Sequence, residues 1–166
     1  MKHIIKNISG VLLAAILLTS CDKETGPLTD VLPPVPVLVN NAIAYRPEPT
    51  VSTTLAATDS IITIVLSIPA SSKRTITAVS KIALSTSYAA IQSTGTTGFY
   101  PYGTLTLAGT TATFKTSIRE YFLNKPVSAS NPAAAANKEL ANRYYFKVTL
   151  DDGSVIYPEP VRVLVL

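Results

Sequence analysis

Cys21 and His3 are the only thiol and the only imidazole in the 166-residue chain, which has no Trp. The other groups suited to acid–base work are ten carboxylates: Asp22, Glu24, Asp30, Glu48, Asp59, Glu120, Glu139, Asp151, Asp152 and Glu159. If an N-terminal segment containing His3 is removed, the remaining chain cannot assemble a Ser-His-Asp or Cys-His arrangement, or a His-ligated zinc or iron site. A carboxylate pair working across a cleft is the remaining option. The acids are scattered and no Trp is present to stack on a sugar, so the residue types predict a protein that is not an enzyme and carries no cofactor or metal.

Lys2, His3 and Lys6 precede an apolar run, Ile8 to Leu18, of about eleven residues. Such a run is too short to span a bilayer as a helix and has the form of a secretion signal over residues 1–20. A lone Cys in an exported chain has no intramolecular disulfide partner, and a free exposed thiol would be reactive there. Leu18-Thr19-Ser20-Cys21 resembles the bacterial lipobox. That resemblance implies a diacylglyceryl group on the Cys21 sulfur and cleavage just before it, so that Cys21 opens the mature protein and anchors it to a membrane. Two or three acyl chains on one residue suffice for stable attachment, whereas one does not.

Loss of Lys2 and Lys6 from the 14 basic residues leaves 12 against 10 acidic ones, with only Lys73-Arg74 adjacent among the basic residues. This weak, dispersed charge predicts no nucleic-acid partner. Residues 21–36 contain the stretch DKETGPLTDVLPPVP, polar and then Pro-rich, and read as a tether. If largely extended at roughly 3.1 Å per residue, those fifteen residues reach on the order of 45 Å. The acidic, Lys-containing start after Cys21 resembles the export signal of surface lipoproteins in Bacteroidota-type outer membranes. An Asp directly after the Cys means inner-membrane retention under the enterobacterial sorting rule, so Asp22 points opposite ways in the two systems. A cell-envelope address is expected, the outer membrane favoured, with its face left open.

Residues 37–166 change character, to short runs rich in Val, Ile, Thr and Tyr punctuated by Gly, Pro, Ser and Asn. This pattern predicts an all-β fold, a single antiparallel β-sandwich of about seven strands. Ile62, Ile64, Leu66 and Ile68 alternate in one run, and Ile76, Ala78, Ile82 and Leu84 in the next. Ala108-Gly109-Thr110-Thr111 reads as a hairpin connection. Tyr144, Phe146, Val148 and Leu150 share a face opposite Arg143, Tyr145, Lys147 and Thr149. Asn131 as N-cap, Pro132 and the Ala run that follows predict a short helix in the crossover before the penultimate strand.

LANRYYFKVTLDDGSVIYPEPVRVLVL at the C-terminal end resembles the F-strand, hairpin and G-strand of immunoglobulin-like and fibronectin type III domains. The resemblance implies an immunoglobulin-like sandwich in which Tyr144 is buried and its hydroxyl bonds to nearby backbone. The chain lacks the core Trp of fibronectin modules and the Cys pair of antibody-type domains, so the resemblance is to the architecture.

For recognition, the candidate binding residues are Phe99, Tyr100 and Tyr102 in a Gly-bounded connection, with Tyr121 from the crossover. Asp151-Asp152-Gly153-Ser154 reads as a hairpin turn rather than a calcium site. If neighbouring strands alternate in direction, the tether enters beside the short turns, and the long connections 86–102 and 119–142 share the other end. A separate strand within 46–59 would alter that count. The expected function is a lipid-anchored, non-catalytic binding or accessory module for a glycan or protein. The alternative is a structural domain that docks into an envelope complex.

Overall fold

A computed structural model describes residues 35–56 and 60–166. Cys21, the expected signal segment and most of the tether lie outside the described residues. The strands are β1 (Leu38–Val39), β2 (Thr50–Thr53), β3 (Ile61–Ser67), β4 (Ile76–Ser85), β5 (Thr104–Ala108), β6 (Thr111–Ser117), β7 (Lys138–Glu139), β8 (Arg143–Leu150), β9 (Val155–Ile156) and β10 (Arg162–Val165). Two short α-helices, α1 (Ala89–Gln92) and α2 (Ile118–Asn124), and a 3-10 turn at Ala70–Ser72 complete the set among the described residues.

The chain folds as an all-β sandwich. One layer has the strand order β1-β3-β6-β5, and the other contains β4-β8-β9 and β2-β10-β7, joined where Tyr144 bridges Val161. The period-two pattern drives this arrangement, because alternate side chains of a strand point to opposite faces. Ile62, Ile64 and Leu66 of β3 and Ala112 and Phe114 of β6 are buried against Tyr144, Phe146, Val148 and Leu150 of β8 and Val163 and Val165 of β10. The Phe114 ring lies 5.8 Å from both Tyr144 and Phe146, so aromatic contacts tie the layers at their centre.

Three departures from the sequence reading divide about seven runs into ten segments. Thr50–Thr53 forms a separate strand, and β7 occupies part of the expected helix. The last run is broken between β9 and β10, where Pro158 and Pro160 supply no N–H to a ladder. The sandwich is also not wholly antiparallel, since β2 runs parallel to β10, with Thr50 opposite Arg162 and Thr53 opposite Val165. Residues 40–49 turn and then fold back, Ala44 pairing antiparallel with Thr50; β1 is antiparallel to β3 and β2 ends where β3 begins, so β1 and β2 run the same way and the directional count survives.

Leu38 lies opposite Ser67, at the end where Ile68 and Ile76 bond to Thr110 and Gly109 and where Asp151 bonds to Thr75. The long connections gather at the opposite end, where Asn124 bonds to Phe99 and Ile118 to Ser60. Asp151 and Asp152 both pair with Arg74, and the Asp152 carboxylate caps Ser154, as a closed turn requires. Further along the sandwich, Glu48 bonds to Arg143 at 2.5 Å and lies near Arg162, which also pairs with Glu139. These ions join four stretches of chain across one sheet.

The crossover helix lies at Ile118–Asn124 rather than after Asn131. Ser117 and Glu120 form a reciprocal capping box, the Ser side chain accepting from the Glu120 N–H and the Glu carboxylate accepting from the Ser117 N–H. Ile118 and Tyr121 supply the buried face. The Ala run has no comparable face, since only Ala134 of residues 133–136 is even half-buried, and nothing offsets the cost of nucleating a turn. Asn131 is itself buried, its side chain turned to Tyr121, Lys125 and Pro126 rather than to a helix end.

Candidate functional site

The segment Gly98–Gly103 positions most of the expected binding aromatics. Its backbone adds to the outer edge of β4, Leu84 N–H donating to Gly98 O at 2.8 Å and Tyr100 N–H to Ile82 O at 2.9 Å. Extended backbone sends successive side chains to opposite sides, so Phe99 points outward and Tyr100 inward. Phe99 is 43% exposed and Tyr100 only 2%. Tyr102 is half-buried, and Tyr121 is fully buried. Tyr100 and Tyr121 are therefore core residues rather than lining for a recognition surface. Tyr121 is drawn in by its place on the apolar face of α2, and Tyr100 by the pairing with β4. Phe99 and Tyr102 remain accessible, but they face different places.

The buried phenols form a polar network inside the core. Thr116 donates to the Glu120 carboxylate at 2.8 Å, which uses its single proton, so the 2.5 Å contact between the Tyr100 and Thr116 hydroxyls is donated by Tyr100. Tyr121 donates to Asn131 Oδ1 at 2.7 Å and accepts from both the backbone N–H and the side-chain amide of Asn142 at 3.0 Å. It is thus Tyr121 whose hydroxyl meets backbone, a role the sequence reading assigned to Tyr144. Tyr144 is buried as expected, but its hydroxyl makes no hydrogen bond within normal geometry; the polar side chain interacting with it is Tyr100, whose ring stands edge-on at a centroid distance of 5.3 Å.

Burial raises the phenol pKa of Tyr100 and Tyr121, and that of Tyr144 well above its ordinary value. Unfolded phenols titrate near pH 10. The folded state holds these protons more tightly, so stability is intact below about pH 10 and falls as pH rises through the folded values. The urea midpoint should be lower at about pH 11 than at pH 8. An unchanged midpoint would contradict this burial.

An open cleft of about 870 Å³ is lined by α2, by Leu55, Ala56, Ser60 and Ile61, and by the start of β5 and the end of β6. Leu55, Ile61 and Leu123, each roughly half-exposed, form its apolar walls, with Tyr102 at one side. Lys115 and Arg119 also line it, and neither makes an ion pair among the described residues. The one carboxylate described in the cleft, Glu120, is occupied by Thr116 and the Ser117 cap. The arrangement suits a ligand that combines an apolar body with negative charge.

No protein-family model matches the chain, and no curated protein matches it in sequence.

A second aromatic group, absent from the sequence reading as a cluster, lies on the outer face of the other layer. Tyr145 lies on the face of β8 opposite Tyr144, yet it is 3% exposed because α1 covers it through Ala90 and Ile91. Tyr88 stands edge-on to Tyr145 and Tyr157, with centroids at 5.9 and 6.4 Å. Phe99 pairs with Ala83, which pairs with Tyr145, so Phe99 projects on this same side. Tyr88 lies upstream of the Gly-bounded segment in the chain. Its meeting with Tyr145 and Tyr157 depends on strand pairing and has no local sequence signal.

Proposed function

We propose that the protein is a lipid-anchored, non-catalytic binding or accessory module of a bacterial cell envelope, held to the membrane by acyl chains on Cys21. The observation that carries this reading is the lipobox-like Leu18-Thr19-Ser20-Cys21 behind a basic and then apolar segment. Among the described residues no helix is long and apolar enough to cross a membrane, and in this reading the lipid on Cys21 is the attachment. The immunoglobulin-like resemblance, an outer-membrane address and a glycan or protein ligand belong to the same proposal. The cleft between Tyr102, Lys115, Arg119 and Leu123 is the favoured recognition site, with Phe99 and Tyr88 as a separate aromatic surface.

The test is metabolic labelling with a fatty acid, combined with membrane fractionation. The native chain should be labelled and sediment with membranes, and Cys21→Ser should lose both properties. A labelled, membrane-bound Cys21→Ser protein would overturn the assignment.

A further inference from the structure

Most exposed sheet edges in this sandwich are blunted. The outer edge of β4 bonds to Gly98, Tyr100 and Gly109, and β2 is capped by Ile43 and Ala44. Strands β1, β7 and β9 are two residues each. The exception is β5, whose five residues Thr104–Ala108 are all exposed, and which pairs with β6 alone. It contains no charge and no Pro, and its register with β6 has no bulge, so it lacks the usual devices that stop an edge from pairing.

The register also fixes which peptide groups are free. A two-residue connection makes its flanking residues, Ala108 and Thr111, a hydrogen-bonded pair. Thr106 with Thr113, and Thr104 with Lys115, then pair in the same way, so the N–H and C=O of Leu105 and Leu107 aim away from β6. No hydrogen bond to a turn, loop or side chain among the described residues uses them.

We propose that β5 is a self-association edge, pairing antiparallel with β5 of a second copy about a two-fold axis at Thr106. The segment Thr104-Leu105-Thr106-Leu107 suits that operation. Leu105 falls opposite Leu107 of the second copy, and each such pair exchanges both of its peptide hydrogen bonds. The two Thr106 side chains meet across the axis on the outer face, a favourable cross-strand pair. Leu105 and Leu107, 37% and 39% exposed on the core-facing side, gain apolar neighbours from the other copy. A neutral strand offers nothing to repel its own image, and isologous contacts of this kind close without forming filaments. The inference rests on register and exposure, and it stands or falls separately from the lipid anchor.

The test follows the full chain in mild detergent by sedimentation. The native protein should show a monomer–dimer equilibrium. Thr106→Lys and Thr106→Glu each set like charges face to face across the axis and should weaken association at least about fivefold. Because Thr106 is exposed on the outer face, neither should shift the melting temperature appreciably. An equimolar mixture of the two variants should recover association. Thr106→Cys should form, under mild oxidation, a disulfide linking position 106 of both copies. A protein that stays monomeric, a dimer indifferent to both charged variants, or cross-linking only through Cys21 would each overturn the proposal.

Discussion

Tyr121→Phe is expected to lower the unfolding free energy by about 2–4 kcal/mol, whereas Tyr144→Phe leaves it unchanged or raises it by up to about 1 kcal/mol. Both rings are fully buried and both substitutions keep the ring, so the hydroxyl alone is tested. At position 121 its loss strands three groups: the Asn142 N–H, the Asn142 side-chain amide and the Asn131 Oδ1. An unmet buried polar group costs about 1–3 kcal/mol, partly relieved here because Asn142 also reaches Asn131 at 3.3 Å. At position 144 the hydroxyl is buried without a partner, so removing it removes a desolvation cost. Chemical denaturation of the two variants checks the contrast. Equal losses would mean that Tyr144 makes a bond the geometry does not show.

Gly103→Ala should cost more than about 3 kcal/mol. The residue has φ of +88°, which an L side chain resists, and an added Cβ would stand 2.5 Å from the Lys115 carbonyl oxygen and 2.6 Å from the Phe114 ring. The first obstacle is backbone in the β5–β6 ladder and the second is the central core ring, so neither yields cheaply. Gly109→Ala is the control. Gly109 also has positive φ, +59°, but nothing lies within 4 Å of the added atom, so only the conformational cost of about 1 kcal/mol remains. Denaturation midpoints of the pair separate steric from conformational effects, and similar losses would show that the close approach at Gly103 is relieved elsewhere.

Strands with strict alternation were legible from sequence because their two faces meet such different surroundings. Ile62, Ile64 and Leu66, and the four apolar positions of β8, are buried as their spacing requires. In β4 the spacing misleads: register shifts between Ile76 and Ala78 and between Val79 and Lys81 place Val79 opposite core-facing Val148, and Ala78 opposite Thr149. A bulge leaves no mark in a run such as ITAVSKIALS, where small, polar and apolar residues mix. The α2 helix did leave one, the Ser-x-x-Glu box at 117–120, but a stretch of high-propensity Ala further on outweighed it, although propensity without a buried face does not hold a helix.

Which tyrosine meets the backbone could not be read locally, because Tyr121 reaches Asn142 across twenty-one positions through the packing of α2. The recognition aromatics divide for a similar reason. Composition grouped Phe99, Tyr100, Tyr102 and Tyr121, and a pairing to β4 plus the apolar side of a helix sent two into the core. The cleft cations, Lys115 and Arg119, come from the end of one strand and the start of the next element, so their charge had looked merely dispersed.

The parallel pairing of β2 with β10 has a mechanical consequence. A pull on the chain ahead of β2, resisted beyond Val165, drags these neighbours past each other along their length. The four register pairs from Thr50–Arg162 to Thr53–Val165 are then loaded together rather than unzipped in turn. Tension applied between the start of β2 and the end of β10 is borne in shear by this seam between an early and the last strand of the domain. Those four pairs must break together, so this seam is the part of the sandwich that resists such a pull most.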